Sequence, residues 1–348
     1  MKKVFEPVSL GALTLKNRLI RSATWEGLAY RNGSLTKELY DIYDELAAGG
    51  VGAVITGFTS VALNDRYFGG MMRLSGDALI PQYRRLTEIV HAHGTPVITQ
   101  LALGAFYREE DGQSVQPVQI EPDEMTIDEI HLVERQFAEA AVRAKAAGFD
   151  GVQIHAAHFF FLSRFISPAV NHRRDAYGGT TENRSRILTE ILSGVREAVP
   201  GMHVTVKINS SDFTFGGLDE ADCVKICKLL DDAGIDSVEV SGNGTSVRGI
   251  RPHKNEGYFV PAAAAVAEAV RCPVIAVGGL RTLDAMEAAL NGTKIELISL
   301  SRPLLCEPDL PRRMEKDPGT VSKCVSCNAC YSSPAHRCVF RRRNGYAD

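Results

Sequence analysis

Two histidines close an apolar run, Gly151-Val152-Gln153-Ile154-His155-Ala156-Ala157-His158. Imidazoles spaced this way can donate to one ligand oxygen, pair structurally, or form half of a metal site. Downstream, Gly278-Gly279 lets backbone N–H groups approach an anion, and Arg302 can clamp it bidentately. Gly-Gly alone is an ordinary turn, but with Arg302 it points to a phosphate. A third constellation is Cys324-Val325-Ser326-Cys327-Asn328-Ala329-Cys330, followed by Cys338. Thiols so placed can wrap a tetrahedral metal, either an iron–sulfur cluster or zinc. The alternative is four free thiols, which oxidise readily.

These residues need elements to position them. Eight apolar, β-branched runs read as strands: Arg18–Ala23, Ala53–Thr56, Pro96–Leu101, Gly151–His155, His203–Ile208, Ser237–Val240, Pro273–Val277 and Leu297–Leu300. They are uniformly apolar, which suits parallel strands covered on both faces. Helical periodicity fills Lys37–Ala48, Ile80–Ala92, Ile127–Ala147, Glu182–Val199, Glu220–Ala233, Pro261–Val270 and Leu283–Leu290. Glycine follows several of these helices and ends them by turning left-handed. The alternation predicts an α/β fold, a (β/α)8 TIM barrel over residues 1–317, with a short N-terminal cap. Residues 318–348 form a Cys-rich C-terminal appendage packed on or beside it. An open doubly wound sheet is disfavoured, because no Gly-x-Gly-x-x-Gly turn follows the first strand. In such barrels the reactive face is the C-terminal end of the strands, where His155, Gly278 and Arg302 fall.

Composition excludes several classes. The chain has 348 residues, 45% hydrophobic and 23% charged, with 39 Lys+Arg against 42 Asp+Glu. That is ordinary globular composition, with no charge signature for nucleic acid or membrane. No apolar run is long enough to span a bilayer, and no secretory h-region follows Met1. A cytoplasmic protein is expected. Its expected partners are a small conjugated acceptor and further copies of the same chain, giving a homo-oligomer.

Several motifs carry a resemblance. Phe5-Glu6-Pro7 with Lys16-Asn17-Arg18-Leu19-Ile20, the His155–His158 run, Asn171-His172-Arg173-Arg174-Asp175-Ala176-Tyr177-Gly178-Gly179 with Glu182-Asn183-Arg184, and Arg302-Pro303-Leu304-Leu305 with Glu307-Pro308-Asp309-Leu310 follow in order. The chain is similar to the old yellow enzyme family of FMN-dependent ene-reductases and to the FMN barrel of 2,4-dienoyl-CoA reductases. The resemblance implies FMN on top of the barrel, lined by Ala23, Thr24 and Gly57. It puts Gln100 at the flavin pyrimidine edge and Lys207, where the family has Arg, near N1 and O2. The alternative for Lys207 is pairing with a barrel carboxylate. Gly278, Gly279, Ser301 and Arg302 would hold the phosphate. His155 and His158 would bind the acceptor carbonyl, and NAD(P)H would act as a transient hydride donor.

The sequence also departs from that pattern. Phe160 stands where the family has its proton-donating Tyr, and Phe159 replaces a Gly. Trp25 stands where relatives carry Cys, Thr or His beside the flavin, and it is expected to line the substrate pocket with Phe160. Leu103, Ala105 and Phe106 replace polar family residues. The cysteines resemble the reductases' 4Fe–4S ligands with shorter gaps, and a second flavin domain after them is not expected. A substitute acid is sought after the sixth strand, at His253 or Tyr258, with Tyr30 a third candidate. The expected function is hydride transfer from reduced FMN to an α,β-unsaturated carbonyl or a related apolar acceptor. Dealkylation, dehydrogenation, flavin or quinone reduction, and electron transfer to a partner chain are the alternatives.

Overall fold

A computed structural model describes residues 1–108, 118–243 and 246–343. Eight strands close into a parallel barrel: β1 (Leu19–Arg21), β2 (Ala53–Ser60), β3 (Val97–Ala102), β4 (Gly151–Ala156), β5 (His203–Asn209), β6 (Ser237–Ser241), β7 (Val274–Val277) and β8 (Leu297–Leu300). Each pairs with its sequence neighbours, and β1 pairs with both β8 and β2, which excludes an open sheet. Every residue of these strands is buried, as strands covered on both faces require, polar residues included.

The outer ring is α1 (Lys37–Ala48), α2 (Ile80–His91), α3 (Ile127–Ala146), α4 (Thr181–Ala198), α5 (Glu220–Asp232), α6 (Val260–Ala269) and α7 (Leu283–Gly292). Helix starts are fixed by side-chain caps: the Thr126 and Asp219 side chains accept from Glu129 N and Asp222 N. Gly148 and Gly234, at φ +84° and +86°, turn the chain from α3 and α5 toward the next strands.

Two features depart from the sequence expectation, and the expected N-terminal cap takes the form of a hairpin. Strand β1 is three residues long, because Ala23 to Trp25 leave the ladder to line the top of the barrel. Strand β2 runs on to Ser60 through an irregularity between Ile55 and Phe58. A hairpin, Val8–Leu10 with Leu13–Leu15, plugs the bottom of the barrel. Its Leu10 and Leu15 pack with Ile20, Ile55, Ile98, Ile275 and Leu297.

After β8 come α8 (Arg302–Cys306) and α9 (Leu310–Lys316). The cysteine-rich segment then crosses the C-terminal face. Arg281 Nε donates to the Cys324 carbonyl at 3.0 Å, Ser322 N to the Arg281 carbonyl at 3.0 Å, and Arg251 Nη1 to the Val325 carbonyl at 3.1 Å. Residues 344–348, the end of this segment, lie outside the described residues. No helix among the described residues is long and apolar enough to cross a membrane.

Candidate active site

The plug fills the lower barrel with apolar side chains, and a polar layer lies above it. Parallel register sets Lys207 of β5 opposite His155 of β4 and Glu239 of β6. Lys207 Nζ lies 3.0 Å from Glu239 Oε1 and donates to Ser22 Oγ at 2.7 Å. Ser22 and Ser299 hydroxyls donate to Glu239 Oε1 at 2.7 and 2.8 Å. Gln153 Nε2 donates to Glu239 Oε2 at 2.9 Å, and Gln153 Oε1 accepts from Gln100 Nε2 at 2.8 Å. Burial alone would raise the Glu239 carboxyl, but the Lys207 charge and these hydrogen bonds hold it below the usual carboxylate range. Lys207 therefore has a barrel carboxylate as partner and still lines the space above.

That space is a cavity of about 500 Å³ at the C-terminal ends of the strands. Its size falls within the roughly 300–1,000 Å³ of cofactor pockets. Ala23, Thr24, Gln100, Lys207, Gly278, Gly279, Ser301 and Arg302 all line it, and so do Trp25, His155, His158, Phe160 and Tyr258. Thus residues drawn from six strands and strand ends meet in one place.

The histidines stand edge to face, with centroids 5.0 Å apart. His158 Nε2 lies 2.9 Å from Ser241 Oγ. His155 Nδ1 and Trp25 Nε1 are buried without a hydrogen-bond partner among the described residues. Orphaned groups of this kind need a ligand or water to satisfy them. Burial, then the His158 and Lys207 charges, hold His155 well below its usual range. Burial and Lys207 push His158 down to about 3, with Glu239 opposing. Both rings are neutral at neutral pH and keep one N–H each to donate. The turn that carries them is strained: His158 and Phe159 both sit at φ +64°, a region few side chains tolerate.

An aromatic arc walls the same side. Phe160 lies 5.2 Å from His155 and 5.1 Å from Phe58, Phe68 lies 4.3 Å from Trp25, and His336 lies 4.6 Å from Trp25, all between centroids. At the other end, Gly278 and Gly279 adopt φ +113° and +81°. A Cβ on either would fall within 3 Å of the Tyr258 ring, so only glycine admits this contact. Arg302 Nη2 donates to Tyr258 Oη at 3.3 Å, and Nη1 donates to the Val247 carbonyl at 3.1 Å and to Asn328 Oδ1 at 2.5 Å. Orphaned donors, a glycine cradle and an arginine in one cavity fit a flavin mononucleotide.

Some expected residues fall elsewhere. Gly57 does not line the cavity; a Cβ there would meet Glu26 Oε2 and the Thr24 carbonyl, so it packs against the buried Arg21–Glu26–Tyr43 cluster. His253 is exposed, at φ +61°, with its N–H on Glu256, and Tyr30 is 62% exposed. Neither lines the cavity. Tyr258 does, but at the arginine end. Cys324, Cys327, Cys330 and Cys338 border a void of about 20 Å³ beside Arg302. Cys306, from α8, packs against Cys324 and Cys338. Among the described residues no group of three His, Cys, Asp or Glu side chains is placed to hold a metal ion.

Sequence reasoning missed Glu239, Gln153, Ser22 and Ser299. A carboxylate inside the apolar strand Ser237-Val238-Glu239-Val240-Ser241 was the available signal. It also missed Tyr331 and His336, which the cysteine segment brings to the cavity. No local pattern marks them.

Comparison with known proteins agrees with this geometry. Residues 3–319 match the model of the NADH:flavin oxidoreductase / NADH oxidase family. An NADPH dehydrogenase of Bacillus pumilus is 34% identical over 318 residues, covering 89% of this chain and 93% of the relative. A metal reductase of Desulforamulus reducens is 33% identical over 343 residues, covering 94% of this chain and 51% of the relative, so the chain spans about half that protein's length. A solved old yellow enzyme homologue from Zymomonas mobilis superposes with a TM-score of 0.75 at 25% identity, covering 92% of this chain and 94% of that one. The barrel, its cavity and these relatives agree: the chain belongs to the NADH:flavin oxidoreductase / NADH oxidase family, FMN-dependent oxidoreductases built on a TIM barrel.

Proposed function

We propose that this chain is an NAD(P)H:acceptor oxidoreductase that holds FMN and reduces α,β-unsaturated carbonyl compounds or related apolar conjugated acceptors. The observation that carries this reading is one cavity with three different ends. Gln100 and Lys207 form its floor, Gly278, Gly279 and Arg302 one side, and the neutral His155–His158 pair another. The Gln100 amide and Lys207 ammonium suit a pyrimidine edge that gains negative charge on reduction. Arg302 and the glycine N–H groups suit the phosphate, with Ala23, Thr24 and Ser301 along the length between.

Bound there, FMN would supply the two-electron chemistry, accepting hydride from NAD(P)H and returning it to the acceptor. His155 and His158 donate N–H groups to the acceptor carbonyl oxygen, orienting it and polarising its alkene. Trp25, Phe58, Phe68 and Phe160 exclude water from that side and favour an apolar acceptor. The nicotinamide binds only transiently, over the cofactor. We place the protein in the cytoplasm, a reducing compartment that suits its eight unpaired thiols.

A second reading rests on Phe160, which lines the cavity with no proton to give. Dehydrogenation, dealkylation and flavin or quinone reduction need no acid at that point. The test is an absorption spectrum of the purified chain, followed by NAD(P)H oxidation with and without a cyclic enone. A folded chain that takes up no FMN sinks both readings. Flavin reduction without enone turnover favours the second.

A further inference from the structure

Glu239 joins the two groups offered to the pyrimidine edge. It faces Lys207 across the β5–β6 ladder at 3.0 Å. Through Gln153 it also reaches the Gln100 amide, two strands further round the barrel. Ser22 of β1's end and Ser299 of β8 complete its shell. Its side chain is 0% exposed and that of Lys207 3% exposed, so solvent screens neither. A cation paired this closely presents a dipole to its surroundings rather than a full charge, and its field falls off faster with distance.

We propose that Glu239 is a positioning residue of the cofactor site: it fixes the Lys207 ammonium and the Gln100 amide in one network, and its charge offsets that of Lys207 beneath the flavin. The proposal rests on the FMN reading above. Two consequences follow. First, the reduced flavin gains less from Lys207 than it would from an unpaired cation, so the bound cofactor is a stronger reductant. Second, Gln100 keeps one amide orientation, because Gln153 is itself oriented by Glu239. Gln100 spends an N–H on Gln153 Oε1 and keeps its carbonyl oxygen and second N–H for the ligand.

Charge and geometry separate experimentally. Glu239→Gln keeps the shape and removes the charge, and Glu239→Asp keeps the charge and shortens the reach. Apoprotein is titrated with FMN by fluorescence quenching, and the midpoint potential of each FMN-loaded protein is measured by dye equilibration. Glu239→Gln is expected to shift the potential to more positive values. Glu239→Asp is expected to keep the wild-type potential and bind FMN about tenfold more weakly, the loss expected when a buried polar group loses a partner. Adding Lys207→Met to Glu239→Gln should return the potential toward wild type. An FMN-loaded Glu239→Gln protein with the wild-type potential, or a more negative one, overturns the proposal. If Glu239→Gln does not fold, the Asp protein decides: a potential shift as large as that of Lys207→Met overturns the charge role. A wild-type chain that binds no FMN fails the earlier reading instead, before any variant is measured.

Discussion

The indole of Trp25 and the imidazole of His336 meet edge-on with 4.6 Å between centroids. The end of β1 and the cysteine-rich segment therefore close one cavity from two sides. Tyr331 joins the same roof and hydrogen-bonds Ser246, while Asn328 Nδ2 donates to the Ser246 carbonyl. The segment is thus a wall of the site.

If that wall selects acceptors, His336→Ala should widen the cavity. We expect a higher KM for small enones and turnover of bulkier ones that the wild type excludes. Melting temperature should change little, because His336 is half-buried. Steady-state kinetics over a series of enones of increasing size checks this; an unchanged size profile removes His336 from the wall.

Phe160 lies 5.2 Å from His155 by ring centroids, against the acceptor pair. Phe160→Tyr puts a phenolic proton there with little change in volume. Hydride transfer to an enone, followed by stopped-flow oxidation of the reduced flavin, should quicken by about tenfold or more if proton delivery limits it. No acceleration would mean that the step is limited elsewhere or that enones are not the acceptor.

The cavity's arginine end separates two residues that sequence alone groups together. Tyr258→Phe removes the hydroxyl beside Arg302 and should weaken FMN binding while leaving proton transfer intact. Arg302→Ala should release most of the flavin, since a buried phosphate would lose its charged partner. His253→Ala should match wild type in both respects. A hundredfold loss of oxidative rate in His253→Ala would show that this loop folds over the acceptor during turnover.

Both cavity histidines resist protonation, His158 down to about 3. The folded state binds fewer protons than the unfolded chain, whose histidines titrate near 6.5. Stability is therefore full above about pH 6.5 and falls as pH drops from there toward 3. Thermal melts across that range should slope less steeply in His158→Gln. Enone turnover should show no histidine ionisation between about pH 6 and 8.

The barrel is legible in the sequence because each strand is a buried apolar run and each helix has a periodic face. Polar residues at strand ends stand out against that background, and His155 and Arg302 are legible for this reason, whereas Gln100 and Lys207 are legible through the family resemblance. Gly57 is misleading: its lack of a side chain answers to Glu26 and Thr24, and a motif cannot distinguish two neighbours on opposite sides of one strand. Glu239 is half legible, since a buried carboxylate demands a partner, but only strand register names Lys207. His336 is illegible, because its place depends on how a segment of short 3-10 turns, Ala329–Ser332 and Pro334–His336, drapes over loops from three strands.

If His158 binds the acceptor as proposed, the turn at His158 and Phe159 joins acceptor binding to heat tolerance. Two consecutive side chains in the left-handed region cost roughly 1–3 kcal/mol each. Glycine at position 159 would relieve part of that, so selection for thermostability alone would favour it. The relaxed turn would also loosen the imidazole that Ser241 now steadies. On the proposed role of His158, resistance to heat and grip on the acceptor are antagonists at this one peptide, and a variant library screened for either property should lose some of the other there first.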